Sequence, residues 1–216
     1  MYDLQDSADF CRKADSLHIV DAISSFGADV IDMLIQSIDV LILSSNKAMG
    51  LQPGLSMLIM TPRAIERIPN EIDSFYFNIP AMLKDGIRGQ TPFTPAVNIL
   101  FQLQLRLTRW GQYGMKSVVN RTSQTAAHFR QAISHLPLRI FAPAPSNALT
   151  ALELPSHISA KWVVNKLEKE HDIVVATNSG ILAERVFRVS HMGNVGCHEM
   201  DQVASALTRV LQESMK

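Results

Sequence analysis

Short apolar runs closed by polar or turn residues recur through the first sixty positions of the chain. They are Leu17-His18-Ile19-Val20 before Asp21, Val40-Leu41-Ile42-Leu43 before Ser44-Ser45-Asn46-Lys47, and Leu55 to Met60 after the turn Gln52-Pro53-Gly54. The first two read as strands buried on both faces, the pattern of a parallel sheet, and the third as a strand. Between them the spacing changes to that of helices. Leu4, Ala8, Phe10 and Cys11 predict a helix over about 5–15, and a short helical stretch is expected around 29–36. Thr61-Pro62 reads as a helix start, with threonine as N-cap and proline in the first turn. Residues 69–90 hold Pro69, Pro80, Gly86 and Gly89 and read as an irregular connection. A long helix is expected to open at Thr94-Pro95 and run to about 112, because Val97, Leu100, Phe101 and Leu105 follow the 3.6-residue period.

Beyond 112 the elements become shorter and mixed. The pattern predicts helices at 114–134, 157–170 and 197–213, and strands at 138–141, 147–153, 172–176 and 185–189. The expected fold class is therefore α/β, with a first domain over 1–105 built on a mostly parallel sheet flanked by helices and a small α+β domain over 106–216.

Composition narrows the class. The chain has 216 residues, 47% of them apolar, and 20 basic residues balance 20 acidic ones. That balance gives no nucleic-acid footprint and no surface suited to anionic membranes. Cys11 and Cys197 imply no disulfide framework. No stretch approaches the roughly 20 apolar residues that span a bilayer, and the first residues lack the pattern of a signal peptide. The expectation is a soluble cytoplasmic protein without membrane or nucleic-acid partners.

Open α/β sheets present ligands at the carboxyl ends of their strands. Asp21 and Lys47 each follow an apolar run, so a carboxylate and an amine should emerge on one rim. That pair suits pyridoxal 5'-phosphate (PLP), whose aldehyde needs an amine and whose ring nitrogen needs an acid. Taken singly, Lys47 also reads as an ordinary surface lysine and Asp21 as a turn or N-cap residue. Ser44 and Asn46 flank the lysine and are candidate phosphate donors, or simply a polar strand end. Gln90-Thr91-Pro92-Phe93-Thr94-Pro95 precedes the long helix, and helix N-termini attract phosphate. Thr91 and Thr94 are candidates there, though Thr94 could equally cap the helix. Arg188 offers a planar fork of donors matched to a carboxylate. Asp29, Asp32 and Asp39 read as solvated or capping, Arg185 as a surface residue, and His191 and His198 as structural or exposed.

Val20-Asp21-Ala22-Ile23-Ser24-Ser25-Phe26-Gly27, Ser45-Asn46-Lys47, Pro53-Gly54-Leu55-Ser56, Phe93-Thr94-Pro95-Ala96-Val97 and Phe187-Arg188-Val189-Ser190-His191-Met192-Gly193, in that order, resemble class V aminotransferases of PLP fold type I. The likeness is to the alanine–glyoxylate, serine–pyruvate and 2-aminoethylphosphonate–pyruvate group. It implies a Lys47 Schiff base with PLP, Asp21 on the ring nitrogen, and Asn46 near the cofactor. It further implies that Thr94 reaches the phosphate of a neighbouring subunit's cofactor, which requires a homodimer, and that Arg188 holds the substrate carboxylate. The implied reaction moves an amino group from an amino acid or aminophosphonate to a 2-oxo acid such as pyruvate or glyoxylate. The likeness is to the C-terminal portion of such an enzyme. A truncated, inactive remnant, or half of a split enzyme needing a complementing N-terminal chain, is therefore the alternative expectation. Cysteine desulfurases of the same fold type are disfavoured, because residues 171–187 contain no cysteine and Cys197 lies beyond Arg188.

Overall fold

The computed structural model describes residues 4–214. The chain divides into two units: one holds residues 4–24 and Ile31–Arg109, the other Ser25–Val30 and residues 110–214. The chain thus leaves the first unit at Ser24, enters the second for a short segment, and returns at Ile31.

In the first unit, helix α1 (Leu4–Lys13) precedes strands β1 (Ile19–Asp21), β2 (Val40–Ser44) and β3 (Ser56–Met60), which form a sheet in the order β1-β2-β3. β1 runs parallel to β2, with Asp21 opposite Ile42, and β3 runs antiparallel to β2, with Ser56 opposite Ser44. Burial on both faces holds for the central strand β2 but not for β1, where Ile19 is 56% exposed. An outer strand has a neighbour on one side only, and Ile19 and Asp21 on one face of β1 are exposed. Asp39 fastens the pair: its carboxylate accepts the His18 N–H at 2.9 Å and an Arg63 N–H at 2.6 Å. Asp39 is therefore buried and paired rather than solvated. Burial pushes its carboxyl up, but the His18 N–H and the Arg63 guanidinium outweigh this and hold it below the usual carboxylate range.

Three local expectations change. Residues 29–36 form no helix; Asp32 instead accepts the N–H groups of Leu34 and Ile35 at 2.9 and 3.0 Å and closes a turn. The stretch read as irregular contains a helix, α3 (Ile79–Gly86), which follows α2 (Pro62–Glu66). Its start is Asn78, whose side chain accepts the Ala81 N–H, with Pro80 in the first turn. That proline reads as a breaker only if the asparagine N-cap before it is overlooked. Helix α4 (Val97–Tyr113) begins later than expected, so Thr94 and Pro95 lie ahead of it and Thr94 is not its N-cap. Thr61 does cap α2, accepting the Ala64 N–H at 3.3 Å.

The second unit is a layer of helices on an antiparallel sheet. Strands β4 (Arg139–Ile140), β5 (Leu149–Glu153), β6 (Ala176–Thr177) and β7 (Val186–Ser190) are ordered β4-β5-β7-β6. Helices α5 (Met115–Ala132), α6 (Ala160–His171) and α7 (Cys197–Glu213) share one core with the sheet, to which Phe129, Leu152, Leu167, Phe187 and Leu207 contribute fully buried side chains. Alternation along β5 and β7 sends Thr150, Leu152, Phe187 and Val189 inward, while Arg188 and its partner Ala151 belong to the other face. The strand expected at 172–176 forms only at its end, because Asp172 takes a left-handed backbone (φ 55°) that closes α6.

Candidate functional site

Because β1 and β2 are parallel, their carboxyl ends share one edge of the sheet. Asp21 is the last residue of β1 and is exposed, with one carboxylate oxygen accepting the Ile23 N–H at 2.9 Å. Lys47 is half-buried in the loop that leaves β2. That loop is built from inside. Ser45 is completely buried; its hydroxyl donates to the Gln52 carbonyl at 2.7 Å, its N–H donates to the Leu55 carbonyl, and its carbonyl accepts the Leu51 N–H. Ala48 and Met49 are also buried, and the Lys47 carbonyl accepts the Gly50 N–H at 2.8 Å. A lysine bracketed by a buried serine and two buried apolar residues sits on a fixed stem rather than a loose one. Ser45 enters the sequence reading only within the Ser45-Asn46-Lys47 motif, where nothing marks it as the buried support of the loop.

The return of this loop depends on Gly54, where φ is +140° and an added Cβ would lie 2.7 Å from Cδ1 of Ile99. The backbone angle favours glycine there, and any larger residue would also have to push the end of the Ile99 side chain aside.

The candidate phosphate donors are partly engaged locally. The Ser44 hydroxyl donates to the Asn46 side-chain oxygen at 2.5 Å, which leaves the Asn46 amide N–H groups as the outward donors. The Thr91 hydroxyl donates to the Phe93 carbonyl at 2.6 Å. Both hydroxyls would have to rotate to meet an anion. Thr94 stands exposed in the segment before α4.

Arg188 belongs to the second unit. It lies exposed on the central strand β7, and its guanidinium donates to the Thr177 carbonyl at 3.1 Å, leaving its other donors uncommitted in the hydrogen bonds described. Beneath this sheet lies a polar network that sequence reading missed. The Arg130 guanidinium donates to the Thr150 hydroxyl at 3.0 Å and to the Ser146 carbonyl at 2.5 Å. Since Arg130 only donates, the Thr150 hydroxyl proton goes to Nε2 of His191, 2.8 Å away. His191 then carries its proton on Nδ1, which faces the Met200 sulfur at 3.2 Å. Burial, helped by the nearby Arg130 charge, pushes the His191 pKa down to about 4. Asp29, read from sequence as solvated or capping, is buried: its carboxylate accepts the Ser146 hydroxyl and the Asn147 N–H. Arg185 is a surface residue paired with Glu153, and Glu153 also binds Arg139. His198 is exposed, and no cluster of three or more metal-ligating side chains occurs among the described residues. Nor is any described helix long and apolar enough to cross a membrane.

The family described as Aminotransferase class-V matches residues 1–195. A soluble hydrogenase small subunit of Synechococcus sp. (strain PCC 6716) is 31% identical over 92% of this chain and 52% of its own length. An uncharacterized aminotransferase of Methanocaldococcus jannaschii is 28% identical over 97% of this chain and 56% of its own length. The chain thus spans about half the length of these curated relatives. Among solved structures, alanine–glyoxylate aminotransferase from Nostoc sp. superposes with a TM-score of 0.89 at 27% identity, over 97% of this chain and 57% of that one. The fold is that of fold type I PLP transferases.

Proposed function

The chain belongs to the Aminotransferase class-V family, and from that premise we propose that it carries the lysine-bearing part of a cytoplasmic, homodimeric transaminase. It would move an amino group from an amino acid or aminophosphonate to a 2-oxo acid such as pyruvate or glyoxylate. Enzymes of this family depend on PLP. The observation that carries the reading is the parallel register of β1 and β2, which brings Asp21 and the Lys47 loop to one edge. An acid and an amine on a shared rim are the donor set that this cofactor requires, so the residues present fit it. The relative from Nostoc, by its name, acts on alanine and glyoxylate, which supports a small 2-oxo acid as acceptor.

When bound, PLP supplies an aldehyde and an electron-withdrawing ring. Lys47 would offer its amine to that aldehyde and, when free, would carry the proton at the substrate Cα. Asp21 would hold the proton on the ring nitrogen. Asn46, with Ser44 and Thr91 after rotation, would donate to the phosphate, and Thr94 would do so toward the cofactor of a second copy. The Arg188 fork orients the substrate by its carboxylate. The test is an absorbance spectrum of the protein with PLP, before and after borohydride, beside Lys47→Ala. A visible band that borohydride fixes as a stable adduct, absent from Lys47→Ala, is expected. An equal adduct in the variant would remove Lys47 from its role.

A second reading, completion of the site by a separate N-terminal chain, is favoured by apolar residues exposed on both outer strands of the first sheet. Ile19 is 56% exposed, Leu58 45% and Ile59 44%. Under that reading this chain alone forms no adduct, and coexpression with the N-terminal half of a relative restores it.

A further inference from the structure

In the second unit β6 is an outer strand, paired with β7 alone. The Leu154 N–H meets the Arg185 carbonyl and the Asn178 N–H meets the Val186 carbonyl, each at 3.0 Å. Along β7, odd-numbered residues therefore bond toward β5 and even-numbered residues toward β6. Ala176 lies opposite Arg188, and Thr177 opposite Phe187. Ala176 thus exchanges backbone bonds with Arg188, whereas the N–H and C=O of Thr177 point away from β7, past the free edge of the sheet. Peptide geometry gives the same result. The C=O and N–H of a trans peptide point in opposite directions, and here the Asn178 N–H points inward.

Arg188 reaches that edge. Its guanidinium donates to the Thr177 carbonyl at 3.1 Å, although its backbone lies on β7, one strand spacing of about 4.8 Å further in. The side chain therefore lies across β6. Directly opposite residues project their side chains to the same face, and the one in its path is Ala176, which offers only a methyl. The outward Thr177 N–H has no partner in the hydrogen bonds described for this strand. We propose that Thr177 completes the carboxylate site assigned to Arg188. Its N–H donates to the same carboxylate, its carbonyl anchors the guanidinium alongside, and the small Ala176 lets the arginine arrive there. The inference rests on the role given to Arg188 above and deepens it. A carboxylate carries enough lone pairs to accept both the backbone N–H and the arginine fork. It is then held at the edge of the sheet rather than over its centre.

Solution NMR on the full-length chain, without cofactor, tests this. Before any ligand is added, the Thr177 amide should exchange about tenfold faster than the Ala176 amide, as an unpaired edge N–H does. Equal protection of the two would overturn the proposal. Pyruvate is then titrated as the carboxylate. The Thr177 amide and the Arg188 Nε–H signals should move together, with the same apparent Kd. Movement of Arg188 alone would leave its role standing and remove Thr177 from the site. Movement of neither would remove the Arg188 reading, and this inference with it. Ala176→Leu blocks the path across β6, so it should weaken pyruvate binding about tenfold and abolish the Thr177 shift. Ala151→Leu, beside Arg188 on the side away from β6, should change binding less than about twofold. Equal losses in the two variants would mean crowding of the sheet face rather than a blocked path, and would count against the proposal. Should Ala176→Leu not fold, Ala176→Val serves at the same position, and the two wild-type arms decide in any case.

Discussion

The two units bury their apolar residues very differently. In the C-terminal unit Phe129, Phe187, Leu167 and Leu207 are completely inaccessible. In the other unit Phe75, Phe77 and Ile87 are 87%, 77% and 88% exposed, and Phe101 and Leu105 on α4 are open as well. Some of the aromatics there cluster: Phe75 and Tyr76 each lie just over 5 Å from the Phe93 ring. A unit that closes its own core needs no partner to hold its residues in place. A unit that shows a cluster of aromatics to solvent offers surface for another chain, and it is this unit that carries Lys47, Asp21 and Thr94.

The largest effect expected from this contrast is in the closed core. Phe187→Ala should cost about 3–5 kcal/mol by urea unfolding; a loss below about 1 kcal/mol would mean that the core is not closed around it. Next is the pH response of the buried network. Unfolded histidine titrates near 6.5, whereas folded His191 stays neutral down to about 4. Unfolding therefore takes up a proton in that window, so stability is full above it and declines as pH falls through it, by at most about 3 kcal/mol. His191→Gln keeps an acceptor for Thr150 and should flatten that decline. Urea midpoints of both proteins at about pH 7 and about pH 4.5 supply the comparison.

A middle-sized effect belongs to the lysine-bearing unit. Gly54→Ala forces a Cβ against Ile99 at a positive φ and should cost about 2 kcal/mol. It should also weaken PLP capture, because the turn that returns from the Lys47 stem is disturbed; unchanged capture would separate that turn from the site. The smallest effect sharpens the contrast most. Phe77→Ser should change the stability of the isolated chain by less than about 0.5 kcal/mol yet reduce self-association in sedimentation. A large stability loss with no change in association would mean that the aromatic cluster is part of a core after all.

Much of this architecture is legible along the chain. The apolar runs at β2 and β7, the periodicity of α5 and α7, and the Thr61-Pro62 start all act through neighbours within a few positions. The misreadings share a cause in competing local signals. Pro80 looks like a breaker until Asn78 is seen to cap the helix that contains it. Thr94-Pro95 looks like a helix start, yet α4 opens at Val97. Of the candidate site, the positions of Asp21 and Lys47 after their strands were legible. The buried polar residues were not, since nothing local marks Ser45 inside the Lys47 loop, or Asp29 and Arg130 in the other unit, as buried rather than surface residues.

The sequence by itself determined where the strands and most of the helices lie and that an acid and a lysine follow two apolar runs, because periodicity and spacing are local properties. The apolar runs also pointed to the parallel pairing of β1 and β2 that sets those two residues on one edge, whereas only the tertiary structure decided that β3 turns antiparallel. It also decided that Asp29 and His191 are buried among partners far away along the chain. Hydrogen-bond partners at such separations are set by how the chain comes together in space, and no local period encodes them.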